Sequence, residues 1–300
     1  MSGKPLLLYI PGLRAKPPPR THRRELFRCL VEGVRRIDAE SANAIQQQES
    51  CFDLVSWTYD FYGKHRDIEL DMPAIEGLLQ QPEATQEDMQ EAVSLKRRSL
   101  RWLYHLADYL PFLVPQLADE RLELHLRDLR RYVHNEFEVA DAIRRLVSLP
   151  LRAAAKGGRP ILLIGHSMGS VIAYEALWQM SRDNVDDVRV DLLITMGSPL
   201  GQRTIQRSLK GSTDHGSSRY PNNIRRWVNI AAFGELTAVD MTLRNDFAEM
   251  IELGLVEEIE DHAVFNYYRS DGELNVHAEY GYLINETCAT QVRDWWRANA

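Results

Sequence analysis

Three cysteines in 300 residues, Cys29, Cys51 and Cys288, are too few and too widely spaced for a disulfide framework. With no C-x-x-C pair they also argue against a zinc site, and they read as buried free thiols. No apolar run approaches the roughly 20 residues of a membrane-spanning helix. The N-terminal run 5–11, behind a single lysine, is too short for a signal sequence. The expectation is a cytoplasmic protein without stable membrane insertion. There is no concentrated basic block, and the formal net charge is -7, which argues against nucleic acid as the main partner. H-E-x-x-H, phosphate-loop and dinucleotide motifs are missing, so neither a metal nor a cofactor is expected.

What the chain does have is 44% hydrophobic residues, enough for one large core carrying an insertion. Short apolar runs at 6–10, 52–59, 160–164, 190–195 and 226–232 read as strands. Helical spacing marks 25–37, 136–155 and the stretch after 167. Strands alternating with helices predict an α/β fold with a mainly parallel sheet and helices on both faces. From 63 to 135 strand signals vanish and helix formers dominate, broken at Pro73, Pro82, Pro111 and Pro115. Residues 1–62 and 136–300 are therefore expected to form the core, with 63–135 a helical insertion that is a possible cap.

The most specific local signal is Gly165-His166-Ser167-Met168-Gly169, a G-x-S-x-G pentapeptide between the apolar run Pro160-Ile161-Leu162-Leu163-Ile164 and a packed helix. A nucleophile elbow needs a sharp strand-to-helix turn that exposes the serine oxygen, with glycines where backbones pass closely. A tight turn whose serine caps the helix is the alternative. A serine hydroxyl needs a base, and the base an orienting carboxylate. Glu235, just past the 226–232 run, is the first candidate acid and Asp240 the alternative. His277 and His262 follow those acids. His277, after the turn-rich Asp271-Gly272-Glu273-Leu274-Asn275-Val276, is preferred as base; His262 is the alternative, in an acidic stretch that reads as a solvated face. His166, beside the serine, is expected to leave the elbow in another direction. The backbone N–H of Met168 and one from Leu13 or Gly12 are candidates for an oxyanion hole.

Tyr9-Ile10-Pro11-Gly12-Leu13, the 165–169 elbow, Thr195-Met196-Gly197-Ser198-Pro199-Leu200, the run 228–235 and His277-Ala278-Glu279-Tyr280 together resemble the α/β-hydrolase superfamily, in particular its lipase and esterase branch. The resemblance covers 6–288 apart from the insertion. It implies a catalytic order of nucleophile, acid and histidine, which Ser167, Glu235 and His277 follow. Two departures stand out: Pro11-Gly12 where the family often has His-Gly, and Glu where Asp is commoner. The function expected is hydrolysis of a small-molecule carboxylic ester, with a hydrophobic acyl group, through an acyl-enzyme. An acyltransferase or thioesterase would need the same side chains. A noncatalytic binding or scaffold protein on a hydrolase core is the reading from another class.

Overall fold

The computed structural model describes residues 3–94, 97, 120–183, 187–235 and 241–300, with the backbone alone for 120–126. Its centre is a six-stranded sheet of β1 (Leu6–Ile10), β2 (Phe52–Leu54), β3 (Ile161–His166), β4 (Val190–Met196), β5 (Ile224–Ala232) and β6 (Glu258–Val264). The order is β2-β1-β3-β4-β5-β6, and every neighbouring pair is parallel.

Successive residues of each inner strand point to opposite faces. Leu7 and Tyr9 enter one buried cluster with Leu162 and Ile164; Leu6, Leu8 and Ile10 enter the other with Ile161 and Leu163. Strands covered on both faces need no polar alternation, and so they read as unbroken apolar runs. Helices Pro19–Ile37, Ala39–Gln47 and Glu286–Asn299 cover the first face, and Val139–Lys156 and Met168–Met180 the second. Each fully buried Leu or Ile in these layers contributes roughly 1.5–3 kcal/mol. The architecture is the α/β fold expected from the pattern.

From β1 the chain moves outward to β2, then returns on the far side of β1 as β3. In open α/β sheets such a reversal leaves a crevice beyond the carboxyl ends of the strands. Ile10 and Gly165 are register partners at that point, so the loop after β1 and the elbow after β3 emerge side by side.

Two stretches differ from the sequence expectation. The run 52–59 is a strand only over Phe52–Leu54, and Thr58–Tyr62 is helical. Trp57 and Phe61, four residues apart, pack edge to face with ring centroids 5.6 Å apart, and Gly63 ends the turn at φ 66°. Aromatic content suits a strand, but the i, i+4 burial of this pair decides for a helix. The acidic stretch expected to be a solvated face is instead β6. It is an edge strand whose acids find a cross-strand cation: Arg226 reaches Glu260 at 2.6 Å and Glu258 at 3.6 Å, while Ile259 is fully buried.

Between 63 and 135 the described residues are helical or irregular, with helices Met72–Gln80, Gln86–Ala92 and Glu120–Val133. Ile75, Leu78 and Ala92 join the first core cluster and Tyr132 the second, so this region packs into the same two layers. Among the described residues no helix is long and apolar enough to cross a membrane.

Candidate active site

β3 ends at His166, and the Met168–Met180 helix begins two residues later. Ser167, between them, adopts φ 53° and ψ -125°, a conformation that side-chain-bearing residues rarely take. Several bonds hold it there. Its N–H donates to Met196 O at 2.8 Å, and its carbonyl accepts from Ser170 N at 3.0 Å and Ser170 Oγ at 2.5 Å. Because the Ser170 hydroxyl is committed to that carbonyl, Ser198 Oγ must donate to Ser170 Oγ at 2.7 Å. The helix also presses hard on β1. A Cβ on Gly169 would collide with the Ile10 carbonyl oxygen, so only glycine fits.

The loop after β1 lies against the serine. A Cβ on Gly12 would stand 2.7 Å from Ser167 Cβ and 3.2 Å from its Oγ. Pro11 O accepts from Trp57 Nε1 at 2.9 Å, and Arg14, at φ 76°, donates its N–H to the Tyr62 hydroxyl at 2.9 Å. Both flanks of Gly12-Leu13 are thereby anchored. Met168 is the first helical residue, a position whose N–H has no partner within its own helix.

Glu235 follows β5, past the left-handed turn at Gly234, and is 2% exposed. His277 follows the small hairpin of β7 (Arg269–Ser270) and β8 (Glu273–Leu274). Its Nδ1 is 2.7 Å from Glu235 Oε2. A carboxylate only accepts, so Nδ1 carries the proton and Nε2 is the unprotonated nitrogen. The site closes on the elbow: the ring of His166 lies with its centroid 4.7 Å from that of His277, and His166 Nε2 donates to His277 O at 2.9 Å. Gly197, at φ 53°, forms the floor; a Cβ there would stand 3.1 Å from His277 Nδ1 and 3.2 Å from Glu235 Oε2.

Of the two histidines weighed as base, His277 is the one that meets Glu235. His262 lies within β6 opposite Ile230, and its Nε2 faces Glu260 at 3.4 Å. The alternative acid Asp240 lies outside the described residues.

Tyr282 is a site residue for which the sequence offered no role. Its hydroxyl donates to Glu235 Oε2 at 3.2 Å and accepts from Ala232 N at 2.9 Å. Burial, reinforced by the Glu235 carboxylate, pushes the Tyr282 hydroxyl well above the usual phenol range, so it stays a donor. No local motif marks it, because the contact depends on how the Glu279–Ile284 helix docks against the end of β5. His166, by contrast, is forced down from its ordinary 6.5 to about 3, chiefly by burial and then by the neighbouring His277, so its ring is neutral. Among the described residues no three His, Cys, Asp or Glu side chains converge to hold a metal ion.

Residues 117–215, spanning β3, the elbow and β4, match the family model described as a PGAP1-like alpha/beta domain. With the parallel sheet flanked by helices, this match supports an α/β-hydrolase type of fold. No curated protein and no solved structure matches it.

Proposed function

We propose that this protein is a serine hydrolase that cleaves carboxylic esters, with Ser167 as nucleophile, His277 as base and Glu235 as the acid that orients it. The observation that carries the reading is the 2.7 Å contact between Glu235 Oε2 and His277 Nδ1 beside a serine held at positive φ. A turn that merely capped a helix would need neither.

In this mechanism His277 Nε2 takes the Ser167 hydroxyl proton as the oxygen attacks the ester carbonyl. Glu235 holds the imidazole in the Nδ1–H tautomer and stabilises the imidazolium that forms. The carbonyl oxygen gains a full negative charge, met by the Met168 N–H and by the Leu13 or Gly12 N–H of the anchored loop. Each such donor is worth about 100- to 1000-fold in rate. His277 then returns the proton to the leaving alcohol, and water, activated by the same base, attacks the acyl-enzyme and frees the acid and Ser167.

The substrate in this reading is a small ester with a hydrophobic acyl group. A cytoplasmic setting belongs to the same reading, supported by three buried cysteines that remain free thiols.

Fluorophosphonate labelling tests the proposal. Wild-type protein is expected to react covalently and Ser167→Ala not at all. Wild-type protein that stays unlabelled, and that turns over no p-nitrophenyl ester across a graded series of acyl lengths, would favour the noncatalytic reading instead.

A further inference from the structure

Behind the site lies a buried ionic cluster that the proposed mechanism does not use. Glu279, 5% exposed, accepts from Lys16 Nζ at 2.8 Å and faces His22 Nε2 at 2.9 Å through Oε1; through Oε2 it accepts from the Tyr9 hydroxyl at 3.1 Å. The same oxygen lies 3.8 Å from Nδ1 of His166. Burial alone would raise the Glu279 pKa, but Lys16 and His22 outweigh it and hold the carboxyl well below its ordinary range. Glu279 is therefore an ionised group in the interior.

As a source of stability this is a poor arrangement. Buried ion clusters seldom outperform apolar residues of equal volume, because desolvating the charges offsets most of their attraction. What the cluster does supply is geometry. Lys16 belongs to the loop that carries Gly12 and Leu13, Tyr9 to the strand leading into it, and Glu279 lies two residues after His277. His166 joins from the other side: it precedes Ser167, and its Nε2–H holds the His277 carbonyl. The elbow, the loop after β1 and the histidine loop have no local sequence connection: Glu279 ties the loop after β1 to the histidine loop, and His166 ties the elbow to the histidine loop.

We propose that Glu279 is a positioning residue, fixing the loop after β1 to the histidine loop through Lys16, while His166 fixes the backbone of His277 directly. This inference rests on the roles of Ser167 and His277 proposed above. Positioning matters at this scale, since a displacement of about 1 Å at a reacting centre can cost roughly 100-fold in rate.

The test is to measure kcat and KM on a p-nitrophenyl ester, the fluorophosphonate labelling rate and the melting temperature for wild type, Lys16→Met, Lys16→Arg, Glu279→Gln and their double variant. Lys16 is the most exposed member of the contact, at 16%, so Lys16→Met tests the link even where Glu279→Gln does not fold. Lys16→Met and Glu279→Gln are each expected to lower kcat and the labelling rate at least about tenfold, with KM within about twofold. The double variant is expected to be little worse than either single one, as for two ends of one contact. Lys16→Arg is expected to recover most of the loss, and His166→Gln, which keeps a donor for the His277 carbonyl, to lose less than His166→Leu. Variants that melt lower yet keep wild-type kcat and labelling rate would overturn the inference while leaving the hydrolase reading intact. An unlabelled wild type would overturn both.

Discussion

Glu235 and Tyr282 share one oxygen: the Oε2 that accepts from His277 also accepts from the Tyr282 hydroxyl, which in turn accepts from the Ala232 N–H. The carboxylate is therefore held from its own strand through a phenol. Tyr282→Phe removes one donor from Glu235 and leaves the Ala232 N–H without that partner, a loss of about 1–3 kcal/mol for a buried group. The expected result is a lower urea midpoint together with roughly a tenfold fall in kcat. Unchanged kcat in a destabilised variant would limit Tyr282 to a structural role.

The choice between acids is a question about the imidazole tautomer. In Glu235→Gln the side chain can offer an N–H to Nδ1, which favours the tautomer that places the proton on the nitrogen needed as base. Turnover is expected to fall by about 1,000- to 10,000-fold while the fold survives. Asp240→Asn and His262→Ala are expected to keep most of the activity. The decisive measurement is kcat/KM on one ester across the three variants, and a loss confined to Asp240→Asn would reverse the assignment.

The inner strands were legible because burial on both faces leaves them largely apolar, as in Leu6–Ile10 and residues 161–164. The strand-to-helix turn at Ser167 was legible because it is written in five adjacent residues. Glu235 and His277 could be proposed from chain order, but their contact joins residues 42 apart and appears only in three dimensions. β6 was hidden because its acids find partners in the fold, Glu260 with Arg226 and Asp261 with Asn229. Tyr282 carries no motif, and Glu279 lies in the 277–280 run without a role that the sequence assigns to it. Their roles come from the docking of one six-residue helix, Glu279–Ile284, which local sequence does not encode.

Gly12 tests the loop after β1 by crowding it. The Cβ of Gly12→Ala would meet Ser167 Cβ at 2.7 Å and the His166 carbonyl oxygen at 3.2 Å, so the loop must retreat. Retreat removes the Leu13 and Gly12 N–H groups from the oxyanion they are proposed to hold. The expected outcome is a fall of about 100-fold in kcat/KM with a melting temperature near that of wild type. A variant that keeps its full rate would place the second oxyanion donor elsewhere.

Acid stability reports on His166. Its ring is neutral in the folded state down to about pH 3, whereas in the unfolded chain it takes a proton near pH 6.5. Above 6.5 neither state is charged and the residue adds no pH dependence. As pH falls from 6.5 towards 3 the unfolded state binds a proton that the folded state refuses, and stability is lost at up to about 1.4 kcal/mol per pH unit. Glu279, held well below its ordinary 4.5, adds its own loss at the lower end of that window, when the unfolded carboxylate protonates first. His277, Lys16 and Glu235 also face the ring, with His277 and Lys16 opposing its protonation and the two carboxylates favouring it. Urea midpoints measured between pH 7.5 and 5 separate His166 from Glu279, since Glu279 is ionised in both states over most of that range. Wild-type protein is expected to weaken steadily below about pH 6.5 and His166→Gln to show a flatter profile. Parallel profiles for the two proteins would mean that His166 is not the group whose refusal to protonate sets the slope.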